Sequence, residues 1–185
     1  MTALKQNLGD LGAFQKEAHP GLQAVYGRHP ASAFGNDAPE LVLLDAAYGP
    51  DSSVVWLMPQ LFAVGEYAGV RDKMDDVQVT ELARTIRASY GHLTVTELML
   101  FFHRFKAGCY GRFYGAVDPL VITTALHDHF LVERDKWLGE IENERRHAQE
   151  EKEQEQRKDK ILKPNEVEVL RKRLDKEWEE QQSQQ

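Results

Sequence analysis

The sequence predicts an all-α protein with a compact multi-helix core, a long charged helical extension and an amphipathic C-terminal helix. Three observations support this fold class: apolar residues recur at helical spacing, capping signals precede the periodic segments, and no convincing stretch alternates in the manner of a strand. The expected organisation is an irregular segment with short helices over 1–50, a helical core domain over 51–139, a charged solvated helix over 140–163 and the amphipathic helix over 164–185.

The helices are expected to be short over residues 1–50 and longer from residue 53 onward. Gly and Pro interrupt residues 1–50 throughout, which leaves room only for short helices, of which PELVLLDAAYG is the best candidate. From residue 53 the segment SSVVWLMPQLFAVGEYAGV is apolar on most sides, a pattern typical of a central buried helix. Because proline is tolerated in a first helical turn but disrupts a helix interior, Pro59 places the predicted start near Leu57.

Two amphipathic helices with capping signals follow. Asp75 or Asp76 can cap the first helix, whose apolar residues recur at i, i+3, i+4 and i+7. Thr94 and Glu97 have the spacing of a capping box at the start of the second helix, and Gly108 stands where that helix should end. The inner face of the second helix is expected to consist of Val95, Leu98, Met99, Phe102 and Phe105.

A long helix is predicted to begin at Asp118, with Pro119 at its first position, where the missing N–H costs nothing. Its apolar face is expected to comprise Leu120, Ile122, Leu126, Phe130, Trp137 and Ile141. Beyond Glu140 the apolar face disappears and charges of both signs are mixed, which indicates a solvated helix. Pro164 interrupts it, and the last helix carries a narrow apolar stripe of Val167, Leu170, Leu174 and Trp178.

Composition excludes several classes of protein. The 185 residues carry a formal net charge of −7, which argues against binding nucleic acid through bulk positive charge. The single cysteine, Cys109, excludes an intramolecular disulfide framework and a zinc site built from cysteines. No segment has the ~20 apolar residues of a membrane span, and the N-terminus lacks the apolar stretch of a signal peptide. We therefore expect a cytoplasmic protein with no membrane contact.

No enzyme signature emerges from the motifs. The sequence contains no P-loop, no G-x-G-x-x-G after a strand and no nucleophile elbow. His127 and His129 lie two apart, about 200° around a helix, so they cannot meet one metal ion. Cys109 stands near cations but follows a helix C-terminus, where the dipole disfavours a thiolate, so a structural role is the better interpretation. We predict a non-enzymatic protein with neither cofactor nor metal.

The turn at 104–115 is the candidate binding site. No acidic residue stands between Glu97 and Asp118, whereas cations and tyrosines gather there and point toward solvent or a partner. The candidate residues for binding nucleic acid or a partner are Arg104, Lys106, Tyr110, Arg112 and Tyr114. Positive side chains neutralise phosphates and aromatic rings stack on unpaired bases. The alternative is structural, because the glycines of this turn permit positive φ and its aromatic rings can cover the core.

The C-terminal stripe of Val167, Leu170, Leu174 and Trp178 also has two interpretations. It can fold back on its own domain, or it can lie in a groove of a partner protein or of another copy of the chain. The long polar spacer before it favours the second interpretation, because the spacer carries the stripe away from its own core.

Residues 54–138 resemble an uncharacterised family of small helical proteins common in mobile elements and phages of Bacteroidetes. The resemblance rests on VWLMPQLFAVGEYAGV, on LARTIRASYGHLTVTELMLFFHRFKAG and above all on YGRFYGAVDPLVITTALHDHF, with its Tyr-Gly-x-x-Tyr-Gly-x-x-Asp pattern. This helical pattern is distantly similar to phage helicase loaders and replisome organisers, which implies a role in DNA replication or element maintenance.

Two hypotheses follow for the function. In the first, the protein is a non-enzymatic replication accessory factor whose basic aromatic turn contacts nucleic acid or a replicative helicase. In the second, it is an assembly or regulatory protein whose C-terminal helices contact other copies or a partner protein, without touching nucleic acid.

Overall fold

The computed structural model describes residues 9–68, 73–111, 117–160 and 164–182, and every regular element in these ranges is helical. The α-helices are α1 (Leu11–Glu17), α2 (Gln23–Arg28), α3 (Leu41–Tyr48), α4 (Ser52–Ala68), α5 (Asp76–Tyr90), α6 (Val95–Lys106), α7 (Pro119–Ala125), α8 (Leu131–Lys160) and α9 (Pro164–Gln182). Short 3₁₀ turns occupy Pro20–Leu22 and Pro30–Ala33, and a π-helical segment occupies Leu126–Phe130. The all-α prediction is confirmed.

The chain forms two compact units, Met1–Gly139 and Glu140–Gln185. In the second unit, every described side chain of residues 142–157 is exposed, which agrees with a charged, solvated helix. The four stripe residues of α9 are also exposed: Val167 by 49%, Leu170 by 41%, Leu174 by 60% and Trp178 by 68%.

The predicted caps of three helices are confirmed. Asp75 accepts a hydrogen bond from the Gln78 amide at 2.8 Å at the start of α5. The box of Thr94 and Glu97 begins α6, with both reciprocal hydrogen bonds formed. Asp118 caps α7, with Pro119 at the first helical position. These side chains satisfy amides that have no partner within the helix, so each one defines a start point locally.

The predicted start of α4 near Leu57 is wrong, because α4 begins at Ser52 and contains Pro59 in its interior. A proline inside a helix leaves the carbonyl four residues earlier without its usual N–H donor, here the carbonyl of Val55. Gln15 of α1 supplies a replacement, since its side-chain amide donates to the Val55 oxygen at 3.2 Å. A tertiary hydrogen bond therefore compensates for the proline.

Helix α6 lies at the centre of the core and packs against α2, α4 and the Pro30–Ala33 turn. The buried surface of α6 is wider than the predicted stripe, since Leu100 and Phe101 are also fully buried. The largest fully buried side chains of the core include Trp56, Phe101, Phe102, Phe105 and Phe130. Phe101 contacts the other three phenylalanines of this set, with ring centroids 5.3–5.7 Å apart.

The segment after Asp118 is not the single regular helix that the sequence predicts. The π-helical segment Leu126–Phe130 separates α7 from α8. A π turn contains an extra residue, so it rotates the faces on its two sides relative to each other. Ile122, Leu126 and Phe130 are buried as expected, but Leu120, which was assigned to the same apolar face, is 69% exposed.

Candidate functional site

The turn after α6 begins near Gly108, where the sequence predicts the end of the helix. α6 ends at Lys106, and Gly108 and Gly111 follow with φ of 77° and 111°, conformations that favour glycine. The Cys109 amide donates to the Arg104 carbonyl at 3.0 Å and so caps the end of the helix. Residues 112–116 lie outside the described residues, and with them Arg112 and Tyr114 of the predicted site.

Arg104 is not the unbalanced surface cation that the sequence suggested. Its guanidinium forms an ion pair with the carboxylate of Glu133 in α8, and its side chain is only 18% exposed. The Tyr110 hydroxyl donates to the same carboxylate at 3.3 Å. The expectation that no acid balances Arg104 is therefore wrong. The acid comes from α8, which follows α7 and the π-helical segment in the chain.

Tyr110 is part of the edge of the core. Its ring stacks on Phe101 with centroids 5.7 Å apart and on His129 with centroids 5.8 Å apart. Burial raises the pKa of Tyr110 to about 12, and the positive charge of Arg104 opposes this rise. Both the ring and the hydroxyl are engaged inside the protein, which supports the structural interpretation for this residue.

A second ion pair joins the same two helices. The Glu97 side chain is 3% exposed, and its Oε1 accepts from Arg134 Nε at 2.8 Å while its Oε2 accepts from the Thr94 amide at 2.8 Å. We call the two pairs, Glu97–Arg134 and Arg104–Glu133, the α6–α8 clamp. One carboxylate thus caps α6 and also anchors α8.

Sequence reasoning missed Glu133 and Arg134, although a weak signal was present. Glu97 and Arg104 are seven residues apart, so they lie on the same face of α6 two turns from each other. The adjacent residues Glu133 and Arg134 offer the two opposite charges in α8. Only the packing of the two helices shows that these charges meet.

Lys106 remains as a cation near the surface. Its Nζ lies 5.6 Å from the ring centroid of Tyr67, which is 66% exposed, and burial of the ammonium group lowers the pKa of Lys106. Within the described ranges no carboxylate lies at ion-pair distance from Lys106. The ammonium group of Lys106 therefore lies over the exposed aromatic ring of Tyr67.

His103 is packed rather than free on the surface. Its ring lies against Gly27 of α2, where an added Cβ would come within 2.0 Å of His103 Cδ2. Burial lowers the pKa of His103, and the charges of Lys106 and Arg104 lower it further. The neutral imidazole is thus the favoured form at this contact between α2 and α6.

The residues considered for metal or thiol chemistry are exposed. Cys109, His127 and His129 lie on the surface, and the ring of His129 stacks on Tyr110. In the part of the chain that the structure describes, no group of three or more His, Cys, Asp or Glu residues is arranged to hold a metal ion.

An apolar groove of about 380 Å³ lies between α5 and α7. Its lining includes the buried Leu82 and two exposed apolar side chains, Val77 at 71% and Leu120 at 69%. Glu81 also lines it, and the exposed Asp118 directly precedes a lining residue. Sequence reasoning missed this groove because it placed Leu120 in the core.

The fold and these surfaces define an all-α protein with a clamped helical core, an apolar groove and an exposed amphipathic C-terminal helix. Residues 73–177 match a family of unknown function (DUF6633), and because this is more than half of the chain, the protein belongs to that family. Membership of an uncharacterised family, expected from the sequence, is confirmed at that level. The match extends through the charged helix into α9, beyond the segment on which the resemblance was based.

No curated protein and no solved structure matches the chain. None of the helices in the described residues combines the length and the apolar character needed to cross a membrane.

Proposed function

We propose that this protein is a non-enzymatic interaction protein that binds another protein surface through α9. The observation that carries this proposal is the stripe of four large apolar side chains on α9, which are 41–68% exposed. Contiguous exposed apolar groups on an amphipathic helix are typical of a segment that lies in a groove. A stripe of this kind that no partner covers would favour aggregation. We therefore infer that a partner protein covers it.

The charged part of α8 supports the same function. Residues 142–157 expose every described side chain, so this segment contributes no apolar surface to a core. At 1.5 Å per residue it spans about 24 Å and acts as a spacer in front of α9. The match to the family includes this spacer and α9 as far as residue 177, so both segments fall within the range on which the family is recognised.

A photo-crosslinking side chain placed at Leu174, or at Lys172 as a matched control, tests the proposal in cells that contain the full chain. Lys172 lies on the opposite side of α9, where it pairs with Glu168 at 3.0 Å. We expect a covalent adduct of defined mass from position 174 and none from position 172. Equal labelling at both positions, or no adduct from either, contradicts the proposed function.

A second candidate is the role that the resemblance implies, an accessory factor in the replication of a mobile element or phage. The pair of Lys106 and Tyr67 favours it, because an exposed ring beside a cation can stack a base and neutralise a phosphate. Arg104 and Tyr110 are excluded from the test, since they are engaged in the core. Fluorescence anisotropy with labelled single-stranded DNA at low salt compares the parent chain with Lys106→Ala and with the control Lys136→Ala. Binding lost only in Lys106→Ala supports this role, and absence of binding by the parent chain refutes it.

A further inference from the structure

We propose that α9 pairs in antiparallel orientation with α9 of a second copy of this chain, with Leu174 at the centre of the pair. The inference rests on the proposed function of α9 and names its partner. At about 100° per residue, the exposed residues Val167, Leu170, Leu174 and Trp178 fall within an arc of about 80° on α9. A single chain contains one α9, so a pairing of α9 with α9 joins two chains.

The apolar stripe is symmetric about its middle. Leu170 and Trp178 each lie four residues from Leu174, which is about 6 Å along the helix axis. When two copies of α9 run in opposite directions with their Leu174 side chains facing, Leu170 of each copy meets the partner's Trp178. The two stripes therefore cover each other, and the contact closes as a symmetric dimer because each copy presents the same surface.

The charges beside the stripe favour the antiparallel direction. Arg173 and Glu177 lie on one side of the stripe and Arg171 lies on the other. In an antiparallel pair each side faces the same side of the partner's stripe, so Arg173 comes within about 3 Å of the partner's Glu177 along the axis. In a parallel pair each side faces the opposite side, which brings Arg173 close to the partner's Arg171. Flanking charges of this kind set the orientation of paired helices.

The order of charges along α9 points the same way. Acids outnumber bases among residues 164–182 by six to four, but the bases concentrate at Arg171, Lys172 and Arg173, whereas four of the five charged residues from 175 onward are acids. A parallel pair places the basic run on the basic run and the acids on the acids. The antiparallel pair places the basic run against residues 175–177. Arg173 and Glu177 are exposed, and among the described side chains of α9 neither forms an ion pair.

Light scattering of full-length variants over a range of protein concentrations tests whether the stripe pairs. Leu174→Glu places two carboxylates opposite each other at the centre, so this variant should dissociate at least ~10-fold more readily than the parent dimer. The matched control is Val169→Glu. Val169 is 57% exposed, as Leu174 is 60% exposed, but it lies about 140° from the middle of the stripe and should leave the dimer unchanged. Equal effects of the two variants, or a parent chain that is monomeric at all concentrations, overturn the proposal.

Charge reversal tests the contact between Arg173 and the partner's Glu177. Arg173→Glu and Glu177→Arg each create like charges at both ends of the pair and should weaken the dimer. The double variant restores opposite charges and should recover the parent affinity, and a mixture of the two single variants should form a heterodimer more readily than either forms a homodimer. A dimer that Arg173→Glu strengthens, or a double variant without recovery, contradicts the antiparallel pair.

Disulfide formation tests the direction of the helices directly. In a Cys109→Ser background, a mixture of Leu170→Cys and Trp178→Cys chains should link on mild oxidation, because these two positions face each other. Each variant alone should link little, since Leu170 lies about 12 Å along the axis from the partner's Leu170, whereas a disulfide needs Cα atoms within about 7 Å. Linkage of each variant with itself would show a parallel pair and overturn the proposal.

The crosslink at Leu174 separates this inference from the proposed function. An adduct with the mass of two chains supports both. An adduct with a different protein leaves the proposed function standing and rejects the second copy as partner, whereas the absence of any adduct rejects both.

Discussion

The carboxylate of Glu97 and the guanidinium of Arg134 meet at 2.8 Å, and the acid is almost completely buried. A buried charge that loses its partner is much less stable than one that keeps it, because its desolvation is no longer compensated. Glu97 also caps α6, so the charge cannot turn away without breaking the box with Thr94. The stability of the core therefore depends on a contact between helices that are far apart in the sequence.

Arg134→Met should lower the free energy of unfolding by about 3–5 kcal/mol, since it leaves Glu97 buried without its cation. Chemical denaturation of the full chain, followed by far-UV circular dichroism, measures this change. The matched control is Arg84→Met, which removes an exposed i,i+3 pair with Glu81 and should cost less than about 1 kcal/mol. Similar losses for the two variants would show that the α6–α8 clamp has no special role in stability.

Tyr110 should make the protein sensitive to strongly alkaline pH. Its pKa is about 12 in the folded protein, mainly because burial disfavours the phenolate, whereas an unfolded tyrosine has a pKa near 10. A pKa raised on folding gives a contribution to stability that is complete below pH 10 and is lost as the pH rises from 10 to 12. Two pKa units correspond to at most about 3 kcal/mol.

Ultraviolet titration of tyrosinate should therefore show one late phase near pH 12 that is absent in Tyr110→Phe. The variant should also lose less stability than the parent between pH 10 and 12, when each is measured against its own value at pH 9. A late phase that persists in Tyr110→Phe would assign the raised pKa to a different tyrosine.

The features predicted correctly from sequence are those that short segments determine. Asp75, the box of Thr94 and Glu97, and Asp118 bind amides within three residues of themselves, so their spacing alone identifies the helix starts. The all-α class follows from periodicity in the same way.

The features that were missed depend on contacts between distant segments. Glu133 neutralises Arg104 only because α8 packs against α6, and no local pattern predicts that. Leu120 is a different case, because it lies two residues before the buried Ile122, about 200° around the regular helix α7, so the helical period itself separates the two side chains.

Gly27→Ala should destabilise the protein, although alanine in a helix is normally favoured over glycine by about 1 kcal/mol. The added Cβ would lie 2.0 Å from His103 Cδ2, and a planar ring packed between helices cannot easily move away. Thermal unfolding measures the loss, and His103→Ala combined with Gly27→Ala should recover part of it. The matched control is Gly65→Ala in α4, where the new Cβ meets no atom within 4 Å. This substitution should not destabilise the protein. Stabilisation by Gly27→Ala would contradict the close contact of α2 and α6.

Gln15 and Pro59 should be energetically coupled through the Val55 carbonyl. In the parent chain the Gln15 amide is the donor that replaces the missing N–H of Pro59, so Gln15→Ala should cost about 1 kcal/mol. Pro59→Ala restores a backbone N–H that can bond this carbonyl within α4, so Gln15→Ala should cost almost nothing in that background. A double-mutant cycle of unfolding free energies measures the difference between the two backgrounds. Equal costs of Gln15→Ala with and without Pro59 would show that the glutamine does not compensate for the proline.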